Sequence, residues 1–112
     1  MGQFLNYIEL TKPLPLIWQI DYKIDDIVSK PILQTNSVAI ALMAIDKRQK
    51  VGTTDTAKDT LIYVLEGTAE VTVQEKRYIV TAGETMIMPS DKPHNIYALE
   101  PFKMMFIVLY NE

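Results

Sequence analysis

The chain has 112 residues, of which 48% are hydrophobic, and a formal net charge of −3. That length supports one hydrophobic core and therefore one domain. The acidic and basic residues are interspersed, so no basic stripe is available to bind a phosphate backbone, and we expect no nucleic-acid partner. There is no cysteine, which excludes disulfides, thiolate catalysis and cysteine-ligated metal sites.

The sequence contains no signal for a membrane. No apolar run approaches the roughly 20 residues that a membrane-spanning helix needs. The first residues also lack the basic and then apolar layout of a secretory signal. We therefore expect no membrane partner and a cytoplasmic protein.

Residues 1–24 are predicted to form an N-terminal arm or short helix, followed by the main domain at 25–112. Apolar residues recur at roughly helical spacing until Pro13 and Pro15 interrupt any helix. The stretch 14–20 is strongly apolar and contains the only tryptophan, Trp18. We expect the arm to cover the domain or a second subunit, because large aromatic side chains mostly supply buried area. The alternative places Trp18 at a ligand site.

Two strands are predicted before residue 46. The first, at 27–33, contains Pro31 and should lie at the edge of a sheet, because proline cannot donate a ladder hydrogen bond. The second, Val38–Ile45, is a continuous apolar run in which larger and smaller residues alternate, which is typical of a strand buried on both faces. A helix is the competing interpretation, but the β-branched residues and the flanking turns favour a strand.

The stretch 59–99 is predicted to contain two consecutive hairpins and a further strand. These strands are 61–65, 68–74, 78–80, 86–88 and 95–99. With a last strand at 102–110, the chain has about eight to ten short strands and almost no helix, as in an all-β sandwich or barrel. The expected core residues are Val38, Ile40, Leu42, residues 61–65, Met86, Ile87, Met105, Ile107 and Leu109.

The segments IYVLEGTAEVTV and VTAGETMIMPSDKPHNIYA resemble the cupin superfamily, and the likeness extends over about residues 37–109. The second cupin motif, G-x5-P-x-G-x2-H-x3-N, is kept at Gly83, Pro89 and His94, whereas Asp91 replaces its glycine and Ala98 its asparagine. The resemblance implies a single-domain antiparallel jelly-roll β-barrel. It also implies a homodimer, since small cupins commonly pair sheet to sheet.

The first cupin motif, G-x5-H-x-H-x3,4-E-x6-G, is largely lost. Only its closing Gly67 is kept, and Arg48 stands at its opening glycine. Thr54 and Thr56 replace its two histidines, and Thr60 replaces its glutamate. In the family these histidines and the glutamate bind a divalent metal, but threonine hydroxyls are weak ligands and this chain has one histidine. We therefore expect no metal cofactor.

A replacement metal site is the alternative. It would combine His94 with Asp55 or Asp59 and water around a divalent transition metal. Carboxylates beside a polar loop are more often simply solvated, which favours the metal-free prediction.

His94 is the residue with the strongest case for a functional role. If its side chain points inward, so do those of Ile96 and Ala98. The resulting cavity would be mostly apolar with few polar groups, which is the usual composition of a small-molecule site. The predicted ligand-binding residues are His94, Thr54, Thr56 and Thr60. The structural alternative is a histidine whose ring nitrogens are satisfied by neighbouring backbone or threonine groups.

Together these observations favour a metal-free module that binds a small molecule. The alternative is an enzyme of the isomerase, lyase or dioxygenase type acting on a small organic substrate, with His94 as general base or with an unusual metal site. No serine or lysine is placed by spacing beside the histidine, so an activated-nucleophile mechanism has no support.

Overall fold

The computed structural model describes residues 12–53, 58–89 and 92–110. The predicted site residues Thr54, Asp55 and Thr56 lie outside the described residues, as do Ser90 and Asp91. The described residues form one 3₁₀ turn, Leu16–Trp18, and nine strands: β1 (Ile27–Gln34), β2 (Val38–Ile45), β3 (Lys50–Thr53), β4 (Lys58–Glu66), β5 (Thr68–Val73), β6 (Lys76–Thr81), β7 (Thr85–Met88), β8 (His94–Ala98) and β9 (Phe102–Tyr110).

The strands form two antiparallel sheets that pack face to face. The five-stranded sheet has the order β1-β2-β9-β4-β7, and the four-stranded sheet has the order β3-β8-β5-β6. β1 is an edge strand, as Pro31 predicted, and a bulge separates Pro31 from Leu33. The antiparallel jelly-roll prediction is confirmed, although the two sheets do not close into one continuous barrel within the described residues. In the same residues, no helix is long and apolar enough to cross a membrane.

The central strands are present, but they do not form two consecutive hairpins. β5 and β6 form a hairpin that turns at Gln74 and Glu75, whereas β4 pairs with β7 and β9 in the other sheet. The chain crosses between the sheets at Gly67, where φ is 85°. A Cβ atom at this position would overlap the carbonyl oxygen of Pro101 and the Cα and Cβ atoms of Phe102. Only glycine fits this crossing, and it separates β4 from β5.

The main core lies between the two sheets and follows the two-residue alternation of the strands. Its fully buried residues include Ile45, Ile62, Val64, Ala69, Val71, Met88, Ala98, Phe102 and Met104. The prediction that Tyr63, Ile87 and Leu109 belong to the core is wrong, because all three are exposed. They alternate with inward-facing residues of β4, β7 and β9, and an apolar run does not show which face of its strand is covered.

The described part of the arm, from residue 12 onward, covers part of the outer face of the five-stranded sheet. It contributes to a second buried cluster, formed by Ile20, Ile32, Leu42 and Ala44. The ammonium group of Lys30 donates a hydrogen bond of 2.8 Å to the carbonyl oxygen of Gln19 and so fixes the arm over β1. Trp18 remains exposed on this arm in the single chain.

Candidate functional site

His94 is the first residue of β8 and is only 7% exposed. Its register partners are Thr53 of β3 and Val73 of β5. Burial alternates along β8, since Ile96 and Ala98 are buried and the residues between them are partly exposed. The side chain of His94 therefore belongs to the inner face of the four-stranded sheet.

The imidazole of His94 carries an unpartnered nitrogen. Its Nδ1 atom is buried and has no hydrogen-bond partner among the described residues. Burial lowers the pKa of His94 below its ordinary value, so the ring is mostly neutral near pH 7. A neutral imidazole donates at one nitrogen and accepts at the other. The ring can therefore form one further hydrogen bond with a small molecule, in either tautomer.

Thr60 is the other member of the predicted ligand-binding set that the structure describes. It is 4% exposed and pairs with the fully buried Met88. Because β4 and β8 belong to opposite sheets, Thr60 and His94 belong to the two inner faces that enclose the core. Asp59, the alternative metal ligand, alternates with Thr60 and so belongs to the outer face of β4.

The cupin resemblance implies a divalent metal, which the described residues do not fit. Among them, no group of three or more histidine, aspartate or glutamate side chains could hold a metal ion. One imidazole and one threonine hydroxyl are too few donors, and the hydroxyl is too weak a donor, for a transition metal. The chemistry that the described residues offer at this site is therefore hydrogen bonding and proton transfer by the imidazole.

A cleft of about 330 Å³ opens between β6 and β7, the neighbouring edges of the two sheets. Its lining residues are Val73, Gln74, Lys76, Tyr78, Met86, Ile87, Pro89 and Lys92. Lys76, Val73 and His94 form one cross-strand row on the inner face, because each pairs with the next. One strand, contributing Val73, thus separates the lysine at the cleft from the buried histidine.

The sequence analysis did not predict this cleft, although the alternation of residues along β6 could have placed Lys76 on the inner face. The predicted strands 68–74 and 78–80 left residues 75–77 between them, whereas Lys76 and Arg77 belong to β6. Counting back by two from Val80, a buried residue of β6, places Tyr78 and Lys76 on the inner face. The alternation that places His94 on the inner face of this sheet therefore places Lys76 on the same face, at the edge strand β6.

The turn between β5 and β6 is strained and is fixed by a contact to Pro93, the residue before β8. Gln74 and Glu75 have φ angles of 50° and 71°, a conformation that hairpin turns usually assign to asparagine and glycine. The backbone N–H of Gln74 donates to the carbonyl oxygen of Pro93 at 3.3 Å. This contact joins the end of the cleft to the residue before His94.

A larger groove of about 650 Å³ lies on the outer face of the four-stranded sheet. It is lined by Lys50, Gly52, Thr72, Gln74, Glu75, Pro93, His94 and Asn95. Thr72 and Asn95 are register partners and alternate with Val73 and His94, which places them on the outer face. Because the Nδ1 atom of His94 is buried, this groove does not expose it.

Comparison with solved structures agrees with this architecture. A conserved protein of unknown function from Streptococcus pyogenes is 32% identical with a TM-score of 0.91, over 97% of this chain and 96% of that chain. A cupin superfamily protein from Desulfitobacterium hafniense is 26% identical with a TM-score of 0.90, over 96% of this chain and 98% of that chain. KdgF from Halomonas sp. is 19% identical with a TM-score of 0.70, over 83% of this chain and 87% of that chain, a likeness of fold alone.

Sequence comparison assigns the same architecture to a family. A search of curated proteins found no match. The family model described as Cupin domain matches residues 42–110, which include eight of the nine described strands in whole or in part. With the jelly-roll topology and the structural likeness above, this match shows that the chain belongs to the cupin superfamily.

Proposed function

We propose that this cupin is a metal-independent module that binds a small organic molecule through His94. The observation that carries the proposal is the buried, unpartnered Nδ1 atom. Leaving a buried polar atom unpaired costs about 1–3 kcal/mol, and native proteins keep few such atoms. A ligand that supplies the missing hydrogen bond recovers this free energy on binding.

The surroundings of His94 support a small-molecule site. The core between the sheets is apolar, and Thr60 and His94 are its buried polar residues within the described part of the chain. Sites for small organic molecules typically combine an apolar lining with a few polar groups. A cytoplasmic location stays part of the proposal and agrees with the absence of cysteine.

An enzymatic role is the second candidate, and the lowered pKa of His94 favours it. A neutral imidazole can accept a proton from a bound substrate, as the general base of an isomerase or lyase does. A dioxygenase role is disfavoured, because it calls for a metal that the described donor set does not fit. Turnover of a bound ligand that is lost in His94→Ala would select the enzyme.

Thermal melting of the wild type and His94→Ala, each alone and with the hits of a small-molecule thermal-shift screen, tests the proposal. The substitution removes at most one net hydrogen bond from the free protein, so we expect it to cost about 1 kcal/mol. The ligand-induced shift should be lost. Asn95→Ala, the neighbour on the outer face, is the matched control and should keep that shift. If His94→Ala costs several kcal/mol and keeps the shift, the histidine is structural.

Elemental analysis of protein purified without chelator or affinity tag tests the metal-free part of the proposal. We expect substoichiometric transition metal, because the donors are too few. A near-stoichiometric transition metal would contradict it.

We also propose that the chain forms a homodimer through the part of the five-stranded sheet that the described residues of the arm leave uncovered. Ile87, Leu61 and Ile107 are successive register partners in one outward-facing row. Leu109, in the next row, is 48% exposed. Contiguous apolar surface of this kind marks association sites, and a two-fold axis would bury the same patch on both copies.

The mass measured by light scattering at micromolar concentration tests the dimer. We expect twice the chain mass for the wild type and the mass of one chain for Leu109→Glu, since the new carboxylate would be buried in the interface. Ile79→Glu is the matched control, because Ile79 is an exposed apolar residue on the outer face of the other sheet. A wild-type mass of one chain would exclude the dimer.

A further inference from the structure

We propose that the cleft between β6 and β7 binds an organic carboxylate with an apolar body, its charged end held by Lys76 and Lys92. The inference rests on the proposed binding function, and it names the class of ligand and the side from which the ligand enters. Three independent features of the cleft support it: its apolar walls, its local charge and its position relative to His94.

The walls of the cleft are apolar and come from both sheets. Val73 and Tyr78 belong to the inner face of the four-stranded sheet, because they pair or alternate with buried residues. Met86 pairs with the fully buried Ile62 of the five-stranded sheet. Val73 and Met86 both pack against the main core. The cleft is therefore a lateral opening of the sandwich interior, and it offers an apolar surface to the body of a ligand.

The described residues that line the cleft carry a charge opposite in sign to that of the whole chain. The chain has a net charge of −3, yet Lys76 and Lys92 line the cleft and no acidic side chain does so among the described residues. The ammonium group of Lys76 lies 5.6 Å from the centre of the Tyr78 ring, above its face. This cation–π contact holds the charge over the apolar wall. Two ammonium groups beside an apolar wall suit a carboxylate, which forms charge-assisted hydrogen bonds with both.

The distance from the cleft to His94 indicates the length of a ligand that could reach both. Lys76, Val73 and His94 lie on three adjacent strands, and neighbouring strands are about 4.8 Å apart, so roughly 10 Å separates the strand of Lys76 from that of His94. A carboxylate bound at the lysines would extend its apolar body past Val73 toward the histidine. An extended octanoate has a comparable length.

Titration of the full chain with octanoate, followed by two-dimensional NMR, tests the inference. We expect saturable shifts at the amides of Val73, Tyr78 and Met86. Octanol, which has the same body without the charge, should bind at least about fivefold more weakly, and added salt should weaken octanoate binding but not octanol binding. Equal affinity for octanoate and octanol would overturn the assignment of a carboxylate, and no binding of octanoate would overturn the inference as a whole.

Two double variants, compared with each other, test whether Lys76 and Lys92 are the lysines that bind the carboxylate. Lys76→Gln/Lys92→Gln should weaken octanoate binding about tenfold, the loss expected for one or two charge-assisted hydrogen bonds. Lys47→Gln/Lys50→Gln removes the same net charge from residues outside the cleft and should leave the affinity unchanged. Lys76 is exposed and Lys92 is only partly buried, so near-wild-type melting is expected. Equal losses in the two double variants would show a long-range effect of net charge and overturn the site.

The outcomes separate this inference from the proposed function. If octanoate fails to bind the wild type while a screened ligand depends on His94, the lysine cleft is wrong and the histidine site stands. If octanoate binds in a lysine-dependent manner while no ligand depends on His94, the cleft is correct and the role of the histidine is wrong.

Discussion

Lys103 and His94 are equally buried, each 7% exposed, but only Lys103 is fully provided with partners. Its ammonium group donates to the carbonyl oxygen of Ile17 at 2.5 Å and lies 3.8 Å from a carboxylate oxygen of Glu66. It also lies 5.1 Å from the centre of the Tyr22 ring. His94 leaves its Nδ1 atom without a partner among the described residues.

The difference follows from the charge of the two groups. A buried ammonium group needs hydrogen-bonding and ionic partners, which the arm and Glu66 supply to Lys103. The hydroxyl of Tyr22 donates to the same Glu66 carboxylate at 2.7 Å, and burial, followed by that carboxylate, raises the pKa of Tyr22. A histidine can instead stay neutral and leave one nitrogen unpaired at a smaller cost. The partnered lysine fixes the arm, and the unpartnered histidine is available to a ligand.

The largest effect on stability is expected from replacing Lys103, the buried residue that has partners. Lys103→Ala should lower the free energy of unfolding by about 3 kcal/mol, because the packing of its stem is lost and Ile17 and Glu66 lose a donor. Lys103→Met keeps most of the stem and should cost about half as much. Urea denaturation measures both.

Lys47→Ala is the control for the lysine series. Lys47 is an exposed residue of the turn after β2, and its replacement should change stability by less than about 0.5 kcal/mol. If Lys103→Ala were as mild as this control, the arm would be held by its apolar contacts and the Lys30–Gln19 hydrogen bond, and the contrast with His94 would fail.

A strand could be predicted from the sequence where its residue composition and its two-residue alternation both indicated β structure. Val38–Ile45 forms β2 with the predicted bounds, and Pro31 lies on an edge strand. The exposure of Ile87 and Leu109 could not be predicted, because an apolar side chain does not reveal which face of a sheet another element covers. Lys103 interrupts the apolar run of β9, and that interruption was the only sign of the polar contacts that hold the arm.

The candidate site was predictable only in part. The spacing of the second cupin motif and the alternation of β8 indicated that His94 points inward, and its burial agrees. The cleft was not predictable, because it forms only where the edge strands β6 and β7 of the two sheets meet. Local sequence patterns do not determine the order of strands in a sheet. The contributions of Thr54 and Thr56 stay predictions, since both lie outside the described residues.

The smallest effect is expected from the titration of His94, the only histidine of the chain. Burial lowers its pKa in the folded state, whereas the unfolded chain keeps a pKa near 6.5. Below that value the unfolded state binds more protons than the folded state, so stability should fall as the pH drops below about 6.5 and should continue to fall until the folded-state pKa is passed.

Urea denaturation of the wild type and His94→Gln, from about pH 8 to about pH 5, isolates this contribution. The carboxyl groups of Asp46 and Glu84, whose pKa values are lowered chiefly by backbone hydrogen bonds, titrate alike in both proteins and cancel in the difference. Glutamine does not titrate, so the variant should lose less stability than the wild type on acidification. Parallel curves would mean that His94 has the same pKa folded and unfolded, in which case its ring is not held neutral by burial and the contrast with Lys103 has another cause.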